Sequence, residues 1–199
     1  MEIKHTFIVI EGIDGVGKST LAKNLAVLLS AHHRVLLTRE PGGSTLGKEI
    51  RNLLQSHEKI DPRAQFLLFA ADRAQHVSQV IRPALQEGHI VISDRFIDSS
   101  IAYQCYGNHL SQHMIQTINE WVIENIKPTL TIFLDMPIIT ALSRIEKRGV
   151  FHSYEKADFL ERAQRGFYAL YQNRNDVLVL DAEQNELDIL NRAYEGIIS

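Results

Sequence analysis

Five short apolar runs divide the 199-residue chain, and stretches with a helical pattern lie between them. The runs are Phe7–Ile10, Val35–Thr38, His89–Ser93, Leu130–Leu134 and Val177–Leu180. Short runs of this kind, rich in β-branched residues, are typical of strands that are buried on both faces. Because helical segments separate them, the pattern predicts an α/β chain with a parallel five-stranded sheet and helices on both of its faces.

The helical pattern is clearest after the first run, where Leu21, Leu25, Leu28 and Leu29 recur at helix spacing. Further helices are predicted at about 46–54, 61–76, 80–87 and 111–125, from about 139, around 159–170, and at the end of the chain. The charged, weakly periodic segment from Lys147 to Glu155 predicts a loop or lid. Since no linker or repeat interrupts the order, we interpret residues 1–199 as a single domain with a lid segment at about 144–156.

Composition narrows the function classes. The chain is 45% hydrophobic and 23% charged with a net charge of −3, which is typical of a globular protein and argues against binding of nucleic acid. No apolar run approaches the ~20 residues that span a bilayer, and no signal peptide is evident, so no membrane association is expected. The single cysteine, Cys105, excludes a disulfide framework within the chain and favours a cytoplasmic location.

A phosphate-binding motif follows the first predicted strand. Residues 12–19 read Gly-Ile-Asp-Gly-Val-Gly-Lys-Ser, which matches G-x-x-x-x-G-K-[ST] and predicts a P-loop NTPase fold. Glycines let several backbone N–H groups face one anion, Lys18 can reach the β- and γ-phosphates, and the Ser19 hydroxyl can ligate Mg²⁺. The predicted ATP phosphate-binding residues are Gly12, Ile13, Asp14, Gly15, Val16, Gly17, Lys18, Ser19 and Thr20.

The rest of the sequence indicates which kind of P-loop protein this is. A GTPase would carry D-x-x-G and N-K-x-D motifs after the P-loop, and the sequence has neither. The predicted strand ends carry Asp94-Arg95 and Asp135-Met136 rather than the acidic pair of motor ATPases, so a small-molecule kinase is favoured. Four arginines lie after strands or on nearby helices and could hold a second, phosphorylated substrate: Arg39, Arg51, Arg73 and Arg95.

Four stretches together resemble the bacterial type of the thymidylate kinase family. They are FIVIEGIDGVGKSTL at 7–21, TREPGGS at 38–44, FAADR at 69–73 and DRFIDSSIAYQ at 94–104. The resemblance runs over nearly the whole chain. It implies transfer of the γ-phosphate of ATP to dTMP with Mg²⁺, giving dTDP and ADP in dTTP synthesis, by a homodimer.

The same resemblance implies individual roles. Phe69 is expected to stack on thymine, Arg73 to donate to a thymine carbonyl, and Arg51 to hold the acceptor phosphate. Arg95 is expected to bridge the two phosphates, beside Asp94 as a magnesium-side or acceptor-orienting carboxylate. The remaining acceptor-side residues that it implies are Asp14 and Tyr103 at the sugar, and Glu40, Ser100 and Gln104 in the same pocket.

Two positions depart from the family pattern. One version of the family has an arginine directly after the P-loop carboxylate, where this chain has Gly15. The other version takes its catalytic arginine from the lid, where this chain has Ser153. Because a cation at the transferring phosphoryl can be worth about 10³–10⁵ in rate, we expect a substitute. Arg148 is the first choice, ahead of Arg144 and Lys147.

Two other functions stay open at this point. One is a kinase for another nucleoside monophosphate or for a deoxynucleoside, and the other is a nucleotide-binding module without chemistry. A zinc site is not favoured, since His109 and His113 share a possible helix face without further ligands. Cys105 has no evident base in the sequence, and phosphoryl transfer from ATP does not need a cysteine nucleophile.

Overall fold

The computed structural model describes residues 5–56, 60–147 and 154–198. Its sheet contains five parallel strands in the order β2-β3-β1-β4-β5, which confirms the predicted five-stranded parallel sheet. The strands are β1 (Phe7–Glu11), β2 (Val35–Arg39), β3 (Ile90–Asp94), β4 (Leu130–Asp135) and β5 (Val177–Asp181). Every strand therefore extends past its apolar run to end on a charged residue.

The helices are α1 (Lys18–Ser30), α2 (Thr45–Gln55), α3 (Pro62–His76), α4 (Arg82–Gln86), α5 (Ile97–Ser100), α6 (Gln112–Ile123), α7 (Ile138–Glu146), α8 (Tyr154–Tyr171) and α9 (Glu186–Ile198). A π-helical turn, Val77–Ile81, joins α3 to α4, and a second, Ile101–Gly107, continues α5. The sequence pattern did not predict the helix over 97–107. Within the described residues, no helix combines the length and the apolar character needed to cross a membrane.

The central strand explains why the apolar runs lack polar alternation. Ile8 and Ile10 of β1 belong to a core cluster with residues of α1, α8 and α9, whereas Phe7 and Val9 belong to a second cluster with residues of α3 and α6. All four side chains are at most 1% exposed. Helices cover both faces of the sheet, as predicted, and each such side chain contributes about 1.5–3 kcal/mol through burial.

Two helix starts near the site are specified by local sequence. Ser44 caps α2, because its Oγ accepts a hydrogen bond from the Gly47 N–H at 3.0 Å. Asp61 caps α3 in the same way through the Arg63 N–H at 2.9 Å, with Pro62 as the first helical residue. Both helices therefore begin at fixed points, and this sets which of their side chains face the sheet edge.

The carboxyl ends of three neighbouring strands collect the candidate residues. β1 runs directly into the P-loop, β3 ends at Asp94, and β2 ends at Arg39, which pairs with Asp94 in the strand register. In parallel α/β sheets ligands bind at this edge, where the chain order reverses on either side of the first strand. The topology therefore brings the four stretches that carry the family resemblance to the carboxyl ends of β1 and β3.

Candidate active site

One cleft of about 470 Å³ gathers the residues from both halves of the predicted site. The predicted residues that line it are Asp14, Gly15, Gly17, Lys18, Ser19, Thr20, Glu40, Arg51, Phe69, Arg73, Asp94, Arg95, Ser100, Tyr103 and Gln104. Arg39 lines it as well. Side chains from the P-loop, α2, α3 and the helix 97–107 thus meet although they are far apart in sequence.

Two P-loop side chains point away from this cleft. Ile13 and Val16 are 1% and 2% exposed and belong to the hydrophobic core. Their share in holding a phosphate would therefore come from the backbone. Gly12 does not line the cleft either, but its carbonyl oxygen accepts a hydrogen bond from Arg95 Nη1 at 3.2 Å. The P-loop presents mainly main-chain groups, as a phosphate cradle requires.

The structure gives a reason for the glycine at position 15. Gly15 has a φ of +90°, and a Cβ there would lie 2.6 Å from the Ala141 carbonyl oxygen and 2.9 Å from Ile145 Cγ1. Helix α7 therefore packs directly against the P-loop at this point. Any other residue type would have to displace α7, so packing in this structure disfavours a cationic side chain at this position.

The lysine of the P-loop is buried among charged groups. Lys18 Nζ donates to the Ile13 carbonyl oxygen at 2.7 Å, and the residue is 7% exposed. Burial, together with the positive charge of Arg95, lowers its pKa to about 8. A phosphate placed in the loop would offset both causes and favour the charged lysine.

The predicted magnesium ligands are in contact. Ser19 Oγ donates a hydrogen bond to Asp94 Oδ2 across the gap between α1 and the end of β3. A hydroxyl and a carboxylate are the hard oxygen donors that Mg²⁺ prefers, and Mg²⁺ usually completes its shell with phosphate oxygens and water. The pair therefore fits the predicted ion. The part of the chain that the structure describes contains no group of three or more His, Cys, Asp or Glu side chains suited to a metal.

Arg95 lies at the junction of the two halves of the cleft. Its guanidinium donates to Asp14 Oδ1 at 2.7 Å, to Ser99 Oγ at 2.8 Å and to Tyr103 Oη at 3.1 Å. It also lies 4.8 Å from the centre of the Tyr103 ring, in cation–π contact. These contacts fix the planar fork before any substrate arrives.

The backbone at Arg95 is strained, with a φ of +76°. Two hydrogen bonds hold it there, from the Arg95 N–H to the Ile10 carbonyl oxygen at 3.0 Å and from Ser93 Oγ to the Arg95 carbonyl oxygen at 2.8 Å. A non-glycine residue in this region costs on the order of 1–3 kcal/mol and is typical of functional sites. The strain directs the side chain from the end of β3 toward the P-loop.

Sequence reasoning missed the buried carboxylate beneath Arg95. Glu11 is 0% exposed and accepts hydrogen bonds from the Phe96 N–H at 2.8 Å and from Ser99 Oγ at 2.6 Å. Burial, followed by the negative charge of Asp98, raises the pKa of Glu11 to about 7. A charged residue at the end of an apolar strand was the available signal, and Glu11 links β1 to the segment that carries Arg95.

In the part of the cleft that is predicted to hold the acceptor, Arg73 is 2% exposed and held by a polar network. Its Nε donates to Glu40 Oε2 at 2.8 Å, and its Nη atoms donate to Ser100 Oγ at 3.0 Å and to the Phe96 carbonyl oxygen at 3.0 Å. Asn119, which the sequence did not single out, accepts a further bond at 2.6 Å. The network joins the segment after β2 to α3, α5 and α6 around one guanidinium.

The other acceptor-side residues border this network. Phe69, one helical turn before Arg73, is half-buried and lines the cleft. Arg51 Nη1 donates to the Pro41 carbonyl oxygen at 3.0 Å, next to the cis Glu40–Pro41 peptide bond. Phe159 of α8 lines the cleft too and packs against Tyr103, with 5.9 Å between ring centres. Phe159 was predicted only as a helix residue.

A second cleft of about 340 Å³ opens on the other side of the P-loop. It shares Gly15, Gly17 and Thr20 with the first cleft. Arg144, a runner-up for the lid cation, lines this second cleft and donates to the Ala182 carbonyl oxygen at 3.2 Å. Lys147 is exposed at the end of α7. Arg148 and Ser153 lie outside the described residues.

Comparison with known proteins places these features in one family. A family model described as thymidylate kinase matches residues 10–193. The chain is 42% identical to a thymidylate kinase of Halothermothrix orenii over 202 residues, which cover 98% of this chain and 97% of that protein. It is 43% identical to one of an Exiguobacterium species over 185 residues, covering 90% and 87%.

A solved structure shares the fold. The crystal structure of thymidylate kinase from Ehrlichia chaffeensis matches this chain with a TM-score of 0.78 and 34% identity, covering 96% of this chain and 94% of that one. The similarity therefore extends over nearly the whole chain and is not confined to the P-loop.

Proposed function

Since the chain belongs to the thymidylate kinase family, we propose that its first cleft is where ATP and dTMP meet for γ-phosphoryl transfer, giving dTDP and ADP. The enzyme is an ATP-dependent nucleoside monophosphate kinase. The observation that carries the assignment of the cleft is Arg95, which contacts both the P-loop carboxylate and the acceptor-side tyrosine. The dTDP that is formed would then be used in dTTP synthesis.

The donor is proposed to lie along the P-loop. Its triphosphate would occupy the cradle formed by the backbone of residues 12–20, with Lys18 at the transferring end. The adenosine end would occupy the second cleft, because that cleft shares the P-loop glycines and continues past Arg144. Ser19 and Asp94 would hold Mg²⁺, which supplies charge neutralisation on the phosphate oxygens.

The acceptor is proposed to lie in the buried network. An arginine has five N–H donors, and four of those on Arg73 are engaged by Glu40, Ser100, Asn119 and Phe96. The fifth could donate to one base carbonyl, with the Phe69 ring available for stacking on the base. Arg51 would hold the monophosphate, and Asp14 and Tyr103 would border the sugar. Gln104, 5% exposed, completes the lining.

The chemical step needs positioning and charge neutralisation. The attacking group is a phosphate oxygen that is already anionic, so no strong general base is required. Lys18 and Arg95 would stabilise the charge that develops on the transferring phosphoryl group. Arg95 is already oriented by its contacts with Gly12, Ser99, Asp14 and Tyr103, so little reorganisation accompanies the reaction.

A panel of acceptors tests this proposal. With ATP and Mg²⁺ in an assay coupled to ADP release, dTMP should give the highest kcat/KM among dTMP, dUMP, dCMP and thymidine. Preferred turnover of dCMP or thymidine would overturn the acceptor assignment. Tight binding of ATP with no turnover on any acceptor would support the alternative of a binding module. Omission of Mg²⁺ should abolish turnover.

We also propose that the segment at about 144–156 is a lid and that Arg148 supplies the cation missing at Gly15 and Ser153. Arg148 lies outside the described residues, so the support is the sequence alone. Arg148→Ala should lower kcat far more than it changes the KM for ATP. Arg144→Ala serves as the comparison, since Arg144 lines the second cleft and should mainly raise the KM for ATP. An unchanged kcat in Arg148→Ala would exclude the residue.

A homodimer is proposed as the functional assembly, in the cytoplasm as the single cysteine suggests. Its support is a set of exposed large apolar side chains on helices that pack side by side: Leu46 and Leu53 of α2, Leu67 of α3, and Met114 and Trp121 of α6. Trp121 is 78% exposed, which is unusual for so large an apolar surface. Light scattering should give twice the chain mass, and Trp121→Glu should give a monomer.

A further inference from the structure

The loop between β2 and α2 contacts both arginines that are proposed to hold the acceptor. We call residues 40–44, which connect Arg39 at the end of β2 to the cap of α2, the acceptor loop. Glu40 binds Arg73, and the Pro41 carbonyl oxygen accepts from Arg51. Any displacement of this loop would therefore move both arginines that are proposed to hold the acceptor.

Helix α3 fixes the acceptor loop at two further points. Asp72 Oδ1 accepts a hydrogen bond from the Gly42 N–H at 3.0 Å. His76 Nδ1 lies 3.0 Å from Glu40 Oε1, while Arg73 takes the other oxygen of the same carboxylate. The two oxygens of Glu40 are thus divided between a residue that lines the cleft and one that does not.

His76 is entirely enclosed. The residue is 0% exposed, and its second ring nitrogen, Nε2, lies 2.6 Å from Thr38 Oγ1 of β2. A neutral ring with its hydrogen on Nδ1 satisfies both contacts, because Nδ1–H then donates to Glu40 and the Thr38 hydroxyl donates to Nε2. The ring also packs under Gly43, where a Cβ would lie 2.3 Å from Nε2.

We propose that His76 is a positioning residue for the phosphate acceptor. It orients the Glu40 carboxylate that holds the Arg73 guanidinium, and it supports the loop whose Pro41 carbonyl holds Arg51. The inference rests on the proposed function of the cleft. Because His76 contacts the part of the cleft that is proposed to hold the acceptor, its loss should weaken binding of the acceptor and leave binding of ATP unchanged.

A matched pair of substitutions distinguishes two possible roles of the His76 side chain, which are to orient Glu40 and merely to fill space in the core. The side-chain nitrogen of asparagine can take the place of Nδ1, and that of glutamine the place of Nε2. His76→Asn therefore keeps the Glu40 contact, whereas His76→Gln keeps the Thr38 contact and loses the one to Glu40. His76→Gln should raise the KM for dTMP by about tenfold or more, the effect of losing a hydrogen bond to a charged group.

His76→Asn should raise the KM for dTMP by less than about threefold, and both variants should keep the KM for ATP within about twofold of the wild type. Equal increases in the KM for dTMP in the two variants would overturn the proposal, as would a parallel rise in the KM for ATP. The wild-type acceptor panel is measured alongside. If another monophosphate proves to be the acceptor, the same comparison is made with it, so the two proposals fail separately.

The tautomer of His76 provides a second test, which uses the wild-type enzyme and therefore does not require any variant to fold. Nitrogen-15 NMR of the wild-type enzyme distinguishes a ring with hydrogen on Nδ1 from one with hydrogen on Nε2. The proposal requires hydrogen on Nδ1 of His76, since that nitrogen faces Glu40. A neutral ring with hydrogen on Nε2 alone could not donate to the carboxylate and would overturn the proposal.

Discussion

The two halves of the cleft, which we propose hold the donor and the acceptor, are built by different means. The donor half is nine consecutive residues, 12–20, which present backbone groups, and its apolar side chains are part of the core. The acceptor half consists of side chains from several elements, and a single arginine in it, Arg73, bonds to groups up to 46 residues away. Local sequence therefore specifies the donor half, whereas the acceptor half depends on the whole fold.

The largest expected effect is at Arg95, which joins the two halves. Arg95→Ala should lower kcat by about 10³-fold or more, because a preorganised cation at the transferring phosphoryl is lost. Steady-state kinetics measure it. Arg63→Ala is the control, since Arg63 forms an exposed pair with Asp61 and does not line the cleft, and its kcat should change by less than about twofold. A similar loss in both variants would show that Arg95 has no special place between the halves.

Substitutions of two glycines, one in each half, test whether the two halves bind their substrates independently. In Gly15→Ala the added methyl would meet the Ala141 carbonyl oxygen, and in Gly43→Ala it would meet His76 Nε2 and the Arg39 carbonyl oxygen. Each substitution should destabilise the fold by about 1–3 kcal/mol through overpacking. Urea unfolding measures that cost.

Their kinetic effects should differ. Gly15→Ala should mainly raise the KM for ATP, and Gly43→Ala should mainly raise the KM for dTMP. A rise in both constants in both variants would show that the two halves are coupled and do not bind their substrates independently.

The smallest effect concerns pH and the acceptor half. Burial, with the negative charge of Glu40 added, raises the pKa of Asp72 to about 6 from 3.8. The folded state then binds a proton that the unfolded state has released, so this contribution to stability is complete below pH 3.8 and is lost as the pH rises through about 6. Asp72→Asn should therefore be more stable than the wild type at pH 7, by on the order of 2 kcal/mol, and lose this advantage near pH 4.

Asp61→Asn is the matched control, because the pKa of Asp61 is shifted in the opposite direction to that of Asp72. Arg63 and the helix start lower the pKa of Asp61 to about 2, so its contribution is present above pH 3.8 and is lost as the pH falls through about 2. Asp61→Asn should be less stable than the wild type at pH 7. Urea unfolding across this pH range measures both variants, and a pH-independent difference for Asp72→Asn would contradict the assignment.

Some features could be predicted because they are encoded over a few neighbouring residues. The five apolar runs gave the strands, since a strand buried on both faces must be apolar throughout. The P-loop spacing and the caps at Ser44 and Asp61 are also local. The helix over 97–107 was missed because its sequence has no clear apolar period and ends in π-helical turns. Sequence patterns rarely indicate such turns, which depend on tertiary packing.

The fold class and the position of the P-loop could be read from the sequence alone, and its resemblance to a family implies the residues of both halves. How those residues are supported depends on packing in the folded chain. Glu11, His76 and Asn119 are buried polar residues whose hydrogen-bond partners lie far away in the sequence, and no local pattern identifies those partners. A buried charge needs hydrogen-bond partners wherever the fold brings them, so the identity of those partners follows from packing and not from spacing along the chain.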